Sequence, residues 1–110
     1  MDESGFRYWL VKHGYSSKII SDNISRVKRF MLETNLGTDE LNCVDSKKFL
    51  DNLFRHGGQE LKKKFPNTKL PVNKYSLSTY KLAVLRYVNY LRDQEDSRQV
   101  IVSDLANLSP

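Results

Sequence analysis

The stretch YSLSTYKLAVLRYVNYLR, residues 75–92, carries the strongest pattern in this chain. Counting from Ser76, apolar or aromatic residues follow 4, 8, 11, 14 and 15 positions later, the spacing of one face of an α-helix. The stretch YSSKIISDNISRVKRFM, residues 15–31, repeats this pattern from Ser16 onward, sixty positions earlier. Arg26 and Arg86 also correspond, each ten residues after its serine and off the apolar stripe. The sequence therefore predicts two long amphipathic helices that begin alike.

Apolar spacing elsewhere predicts two more main helices. The first covers about residues 2–13 and ends at Gly14, where a left-handed residue is favoured. The third begins after Asp45, a residue type that caps helices. No convincing strand alternation is present, so we expect an all-α, single-domain bundle of four main helices. The expected second and fourth helices cover about 16–34 and 76–93.

Three further segments complete the predicted organisation. Gly57 and Gly58 should end or bend the third helix, and 59–65 could add one or two helical turns. Pro66 before this segment and Pro71 within it favour a loop over residues 67–74. We expect residues 1–93 to form the helical domain and 94–110 to form a tail or a linker, within which 100–102 could be extended or helical.

Charge is unevenly distributed along the 110 residues. The net charge is +5, but residues 47–81 alone hold nine Lys or Arg against two acidic residues. A basic segment of this kind indicates polyanion binding, although solvated lysines are the common alternative. The single Cys43, the acidic N-terminus and the lack of a long apolar run favour a cytoplasmic protein with no membrane contact.

Catalytic and metal-binding patterns have little support in the sequence. His13 and His56 have no partner at metal-ligand spacing, and Cys43 lies in no recognisable motif. The Gly57 and Gly58 pair lacks the surrounding residues of a phosphate loop. We therefore expect no cofactor, no metal and no catalysis by this polypeptide.

Double-stranded DNA is the partner that the polar residues favour. Hydroxyls in the first turns of two helices can hold phosphate oxygens, and basic residues off the apolar stripe can reach phosphates or base edges. The alternative is that the serines are plain caps and the charges serve solubility. Lys69 in the basic loop would add phosphate attraction. The predicted DNA-binding residues are Ser16, Ser17, Lys18, Arg26, Arg29, Lys62, Lys63, Lys64, Lys74, Ser76, Ser78, Thr79, Lys81 and Arg86.

Several of these positions fit a known pattern. The chain has an opening Phe6, Trp9 and Leu10, then Gly14 and Ser16, and later Ser76, Thr79, Tyr87, Tyr90 and Leu91. Over residues 6–93 this spacing resembles the N-terminal core-binding domain of tyrosine recombinases, the phage integrase family, which has a SAM-like helical fold. The resemblance implies that helices 2 and 4 clamp one side of a DNA duplex during DNA integration and recombination.

Departures from that pattern limit what the resemblance implies. Ile19 and Asn23 replace the family's usual Thr and Tyr, and residues 57–74 are longer than the usual short turn. The family's catalytic Arg, His-x-x-Arg and Tyr arrangement is missing, so neither cleavage nor ligation is expected. The implied partners are a C-terminal catalytic domain or other recombinase subunits, and the implied origin is bacterial, phage or prophage.

Two other readings stay open. A protein-interaction bundle would be favoured by an exposed apolar patch near Leu82 and Leu85. A helix-turn-helix regulator would be favoured by the short connection between helices 1 and 2, with one recognition helix in the major groove.

Overall fold

A computed structural model describes residues 1–71 and 73–107, without the side chains of residues 56, 74 and 97–107. Within this part the chain is helical and has no strand, which confirms the all-α prediction. The four main helices are accompanied by two short ones and by a 3₁₀ turn at His56–Gly58. The helices are α1 (Glu3–Lys12), α2 (Ser17–Thr34), α3 (Thr38–Leu41), α4 (Ser46–Phe54), α5 (Gln59–Lys64) and α6 (Lys74–Asn107).

The first two helices begin and end at residues whose chemistry explains their bounds. The Asp2 carboxylate accepts a hydrogen bond from the backbone N–H of Gly5 at 3.2 Å and caps α1. Gly14 follows α1 with a φ of 81°, a conformation that glycine adopts without steric cost. Ser16 Oγ accepts from the N–H of Ile19 at 3.4 Å and caps α2, as its position predicts.

The fourth predicted helix is longer at both ends than its pattern indicates. It begins at Lys74, because the Asn73 side chain accepts from the N–H of Ser76 at 2.8 Å and supplies the cap expected from Ser76. It does not end near Asp93 but runs to Asn107. No Gly or Pro lies between residues 93 and 107, so nothing in the backbone chemistry stops the helix there.

The short helix α3 was not predicted. Glu40 closes its first turn, since its carboxylate accepts from the backbone N–H of Gly37 at 2.9 Å. Leu41 then brings an apolar side chain into the core at the end of the same turn. A four-residue helix is too short to produce a visible periodicity, so its signal lies only in these two residues.

The core is organised around α6, against which α1, α2 and α4 pack. Its face toward α1 is aromatic: the Tyr87 ring meets Phe6 edge-on with centroids 5.1 Å apart. Tyr90 is also buried there. The largest fully buried side chains are Tyr87, Tyr90, Phe6, Phe30, Leu10, Leu41, Leu50, Leu53, Leu61, Val27, Val84 and Val88.

Candidate nucleic-acid interface

The two long helices of the predicted site lie side by side and run antiparallel. Arg86 on α6 bonds to Asn23 on α2, whereas Tyr80, nearly two turns earlier on α6, bonds to Arg29, nearly two turns later on α2. The start of α6 therefore lies level with the end of α2. At 1.5 Å per residue, the N-termini of the two helices are about 25 Å apart along this pair. One phosphate cannot contact both N-termini.

Arg86 is held in place from two sides. Its Nη1 donates to Asn23 Oδ1 at 3.1 Å, and its guanidinium carbon lies 4.4 Å from the centre of the Tyr15 ring. Asn23 is itself fixed, because it is only 2 % exposed and its amide donates to the Ile19 carbonyl at 2.6 Å. The remaining N–H donors of Arg86 make no hydrogen bond with any described residue. Arg86 therefore presents free donors from an ordered side chain.

Arg26 occupies the same side of α2 as Asn23, because three residues separate them along the helix. Its side chain is partly buried and makes no hydrogen bond or ion pair within the part of the chain that the structure describes. We name the strip defined by Tyr15, Asn23, Arg26, Arg29 and Arg86 the α2–α6 seam. The two arginines that the sequence matches, Arg26 and Arg86, thus lie on one surface.

Arg29 has a more structural position on the seam than predicted. It donates to the Tyr80 hydroxyl at 3.4 Å and to the Lys69 carbonyl at 3.0 Å. The N–H of Lys69 in turn donates to the Glu33 carboxylate at 2.9 Å. Two side chains of α2 therefore hold the loop that precedes α6, and part of the donor capacity of Arg29 is already used.

The predicted hydroxyls at the start of α6 are also engaged. Ser78 Oγ donates to the Tyr75 carbonyl, and Thr79 Oγ1 donates to the Ser76 carbonyl, both at 2.7 Å. A hydroxyl has one proton, so these two have none left to donate to a phosphate. Ser17 and Lys18 at the start of α2 are exposed and make no such bond among the described residues.

Four of the predicted lysines lie away from the seam: Lys62, Lys63, Lys64 and Lys81. Lys81 pairs with Asp51 of α4 at 2.7 Å, and Lys64 lies 4.8 Å above the Phe49 ring of the same helix. Lys81 and Arg86 are five residues apart, which places them about 140° apart around α6. The side chain of Lys74 lies outside those described. The predicted set is therefore divided between the seam and a second surface on α4 and α5.

Two supporting residues of the seam were not among the predicted site residues. Asn23 falls on the apolar stripe of α2, between Ile20 and Val27, and a polar residue on a buried stripe is a signal that the sequence does contain. Tyr15 lies before α2, and only the fold shows that its ring meets Arg86.

Exposed apolar side chains lie near the seam. Leu82 is 49 % exposed, one turn before Arg86 on the same side of α6, and Leu85 beside it is partly buried. Ile19, one turn before Asn23, is 42 % exposed. The seam thus combines guanidinium groups with apolar contact area.

Other kinds of site were also sought. An open pocket of 330 Å³ lies between the α3–α4 turn and α6 and is lined by Cys43, Arg92 and Glu95 among others. No three His, Cys, Asp or Glu side chains among the described residues are grouped so that they could hold a metal ion. In that same part of the chain, no helix is both long and apolar enough to cross a membrane. Comparison with protein-family models, curated proteins and solved structures finds no match to this chain.

Proposed function

We propose that this chain is a duplex-DNA-binding module of the kind found at the N-terminus of phage-type integrases, non-catalytic on its own. The observation that carries the proposal is the placement of Arg26 and Arg86 on one strip of surface. The Arg86 guanidinium is ordered by Asn23 and Tyr15. The Arg26 guanidinium makes no hydrogen bond or ion pair with any described residue. Guanidinium groups bind phosphate or the guanine edge through two parallel hydrogen bonds, so both are suited to DNA.

The ordered Arg86 side chain lowers the entropy cost of binding DNA. A free arginine loses rotamer freedom when it is immobilised on a ligand, at a cost of about 0.5–1.5 kcal/mol. Arg86 has lost much of that freedom already, because its position is set by Asn23 and Tyr15. Binding energy from its free donors is therefore less offset by ordering.

The ends of the seam extend this contact. The exposed Ser17 and Lys18 lie at the N-terminus of α2, where free backbone N–H groups attract anions. Because α6 begins at the other end, a strip of about 25 Å separates the two N-termini. This length exceeds the major-groove width of about 12 Å, so the seam can cross a groove and reach phosphates on both sides.

Arg26→Ala tests the proposal most cleanly, since Arg26 makes no hydrogen bond or ion pair within the described part of the fold. We expect the variant to bind a 20-base-pair duplex about tenfold more weakly at 100 mM salt. The slope of log K against log salt should fall by about 0.9, the value for one lost phosphate contact. Fluorescence anisotropy between 50 and 200 mM salt measures both quantities.

Arg7→Ala is the matched control, because Arg7 is an exposed arginine of α1 that pairs, among the described residues, only with Glu3 at 3.9 Å. It should leave affinity and slope nearly unchanged. If both variants lose the same amount of DNA affinity, the seam arginines contribute only as general surface charge. Absence of wild-type binding at 50 mM salt would overturn the proposal.

A protein-interaction role is the second candidate, and exposed Leu82 and Ile19 favour it. In that case Leu82→Asp would abolish partner binding, whereas Arg26→Ala would have a smaller effect. Under the DNA proposal, Leu82→Ala leaves the salt slope unchanged, because Leu82 neutralises no phosphate. The salt slope therefore separates the two functions.

A further inference from the structure

We propose that a second surface of this chain binds a second DNA duplex, so that one molecule bridges two duplexes. The inference rests on the proposed function, since it assumes that the first duplex occupies the α2–α6 seam. We name this second surface the lysine face. It consists of Lys47, Lys48, Lys62, Lys63 and Lys64.

The lysine face is assembled by the pairing of α4 with α5. Lys64 lies over the Phe49 ring. The last turn of α5, which carries three lysines, therefore lies beside the first turn of α4, which carries two, although 13 positions separate Lys62 from Phe49 in sequence. All five are exposed, and none forms an ion pair among the described residues.

Acidic residues do not neutralise this face. Between residues 45 and 64 the acids are Asp45, Asp51 and Glu60, and Asp51 is already bound to Arg55 and Lys81, both at 2.7 Å. Within this stretch the five lysines therefore outnumber the two remaining carboxylates. Glu95 and Asp96 of α6 lie at the α3–α4 turn, next to the start of α4 only. A net positive patch of this kind attracts a polyanion through counterion release, without any need for a shaped pocket.

The lysine face and the seam point in different directions. Lys81 marks the side of α6 that carries α4, and Arg86 marks the side that carries α2, about 140° away. Charges farther apart than about 8–10 Å are largely screened at physiological salt, so the two surfaces attract anions independently.

DNA fits the lysine face better than a protein partner does. Protein interfaces contain a buried apolar or aromatic centre. The exposed large hydrophobic side chain next to this face is Val44, just before α4, and none lies between residues 46 and 71. Lysines around a covered Phe49 provide charge without an apolar anchor, which is the requirement for phosphate binding.

A bridging assay tests this inference. A duplex is immobilised on beads, and capture of a second, fluorescent duplex is measured as protein is added, at 100 mM salt. The test variant combines Lys62→Glu with Lys63→Glu and leaves Lys64 on Phe49. The control combines Arg7→Glu with Lys12→Glu on the surface of α1, which changes the net charge by the same amount.

We expect wild-type protein and the α1 control to capture the second duplex, and the lysine-face variant to capture about tenfold less. Anisotropy with a single short duplex should give the same affinity for the two variants within about threefold. Sedimentation must show wild-type protein as a monomer, because a dimer would bridge through two seams. Monomeric protein that binds one duplex but captures no second one overturns the inference and leaves the proposed function intact.

Two other outcomes also overturn it. Capture that survives the lysine-face substitutions would place the second duplex elsewhere. Binding to vesicles with 30 % anionic lipid that is lost in the lysine-face variant, without any duplex capture, would assign the face to a membrane surface. If wild-type protein binds no duplex at all, the proposed function is wrong, and the bridging inference that rests on it is wrong as well.

Discussion

The α2–α6 seam and the lysine face both carry positive charge but differ in how the fold holds the charged side chains. On the seam, Arg86 is bonded to the buried Asn23, and Arg29 is bonded to Tyr80 and to the Lys69 carbonyl. On the lysine face, Lys62 and Lys63 extend into solvent without partners in the described structure. The first arrangement can orient a ligand, whereas the second can only attract one. Charge alone, which is what the sequence displays, does not distinguish them.

The largest expected effect concerns the packing on which the seam depends. Tyr87 is fully buried on α6, its ring packs against Phe6, and its hydroxyl accepts from the N–H of Asp2 at 3.0 Å. Tyr87→Ala should lower the free energy of unfolding by about 3–5 kcal/mol, as buried aromatic truncations do. Urea denaturation followed by circular dichroism measures this change.

Tyr87→Phe is the control for that substitution. It keeps the ring and removes the contacts of the hydroxyl with Asp2 and with Thr38, at 3.0 and 3.2 Å. A loss of about 1 kcal/mol is expected. A loss below 1 kcal/mol for Tyr87→Ala would contradict the burial of this residue and would remove the support assumed for the seam.

Much of the fold follows from sequence pattern. Period 3.6, with Gly14 after the first helix and a serine before the second, predicts α1 and α2 almost to the residue, because these are local properties. The pattern fails for α3, which is too short to be periodic, and at the end of α6, where helix continues although the apolar stripe weakens. The helix continues there because residues 93–107 contain no Gly or Pro that would end it.

The candidate site is harder to predict, because it depends on which helices meet and in which direction. The repeated pattern identifies Arg26 and Arg86 as equivalent, and the fold bonds Arg86 to Asn23, three residues before Arg26 on α2. The same pattern gives no sign that α2 and α6 are antiparallel, so only the fold shows that the two helix starts lie about 25 Å apart. The pairing of Lys81 with Asp51 is likewise a property of the fold.

A smaller difference in stability is expected between one substitution on the seam and one on the lysine face. Arg86→Ala removes the hydrogen bond to Asn23 and the contact with Tyr15, and it leaves Asn23 Oδ1 without that donor. We expect a loss of about 1–2 kcal/mol in unfolding free energy. Lys63→Ala on the lysine face should change stability by less than about 0.5 kcal/mol. Urea denaturation of both variants tests the difference, and equal values would mean that Arg86 is no better ordered than Lys63.

The smallest expected effect is the pH-dependent stability contributed by two carboxylates, Asp2 beside the aromatic core and Asp51 beside the lysine face. The Tyr90 hydroxyl and then the Gly5 N–H donate to Asp2 and lower its pKa, whereas Lys81 and then Arg55 lower the pKa of Asp51. A carboxyl whose pKa is lower in the folded state stabilises the fold above its unfolded pKa, near 4, and that contribution is lost as pH falls through the folded pKa.

Asp2→Asn should therefore lower stability at pH 7, by no more than about 1 kcal/mol, and the difference from wild type should shrink below pH 4. Asp51→Asn should show the same pH trend, but 0.5 M salt should remove its effect, because both of its partners are cations at the surface. Salt should leave most of the Asp2 effect, since a neutral phenol and a backbone amide hold that carboxylate. Urea denaturation at pH 7, 4 and 3, with and without salt, measures these differences. If salt removes both effects equally, Asp2 is held by surface charge, and the aromatic side of α6 has no more fixed polar structure than the lysine face.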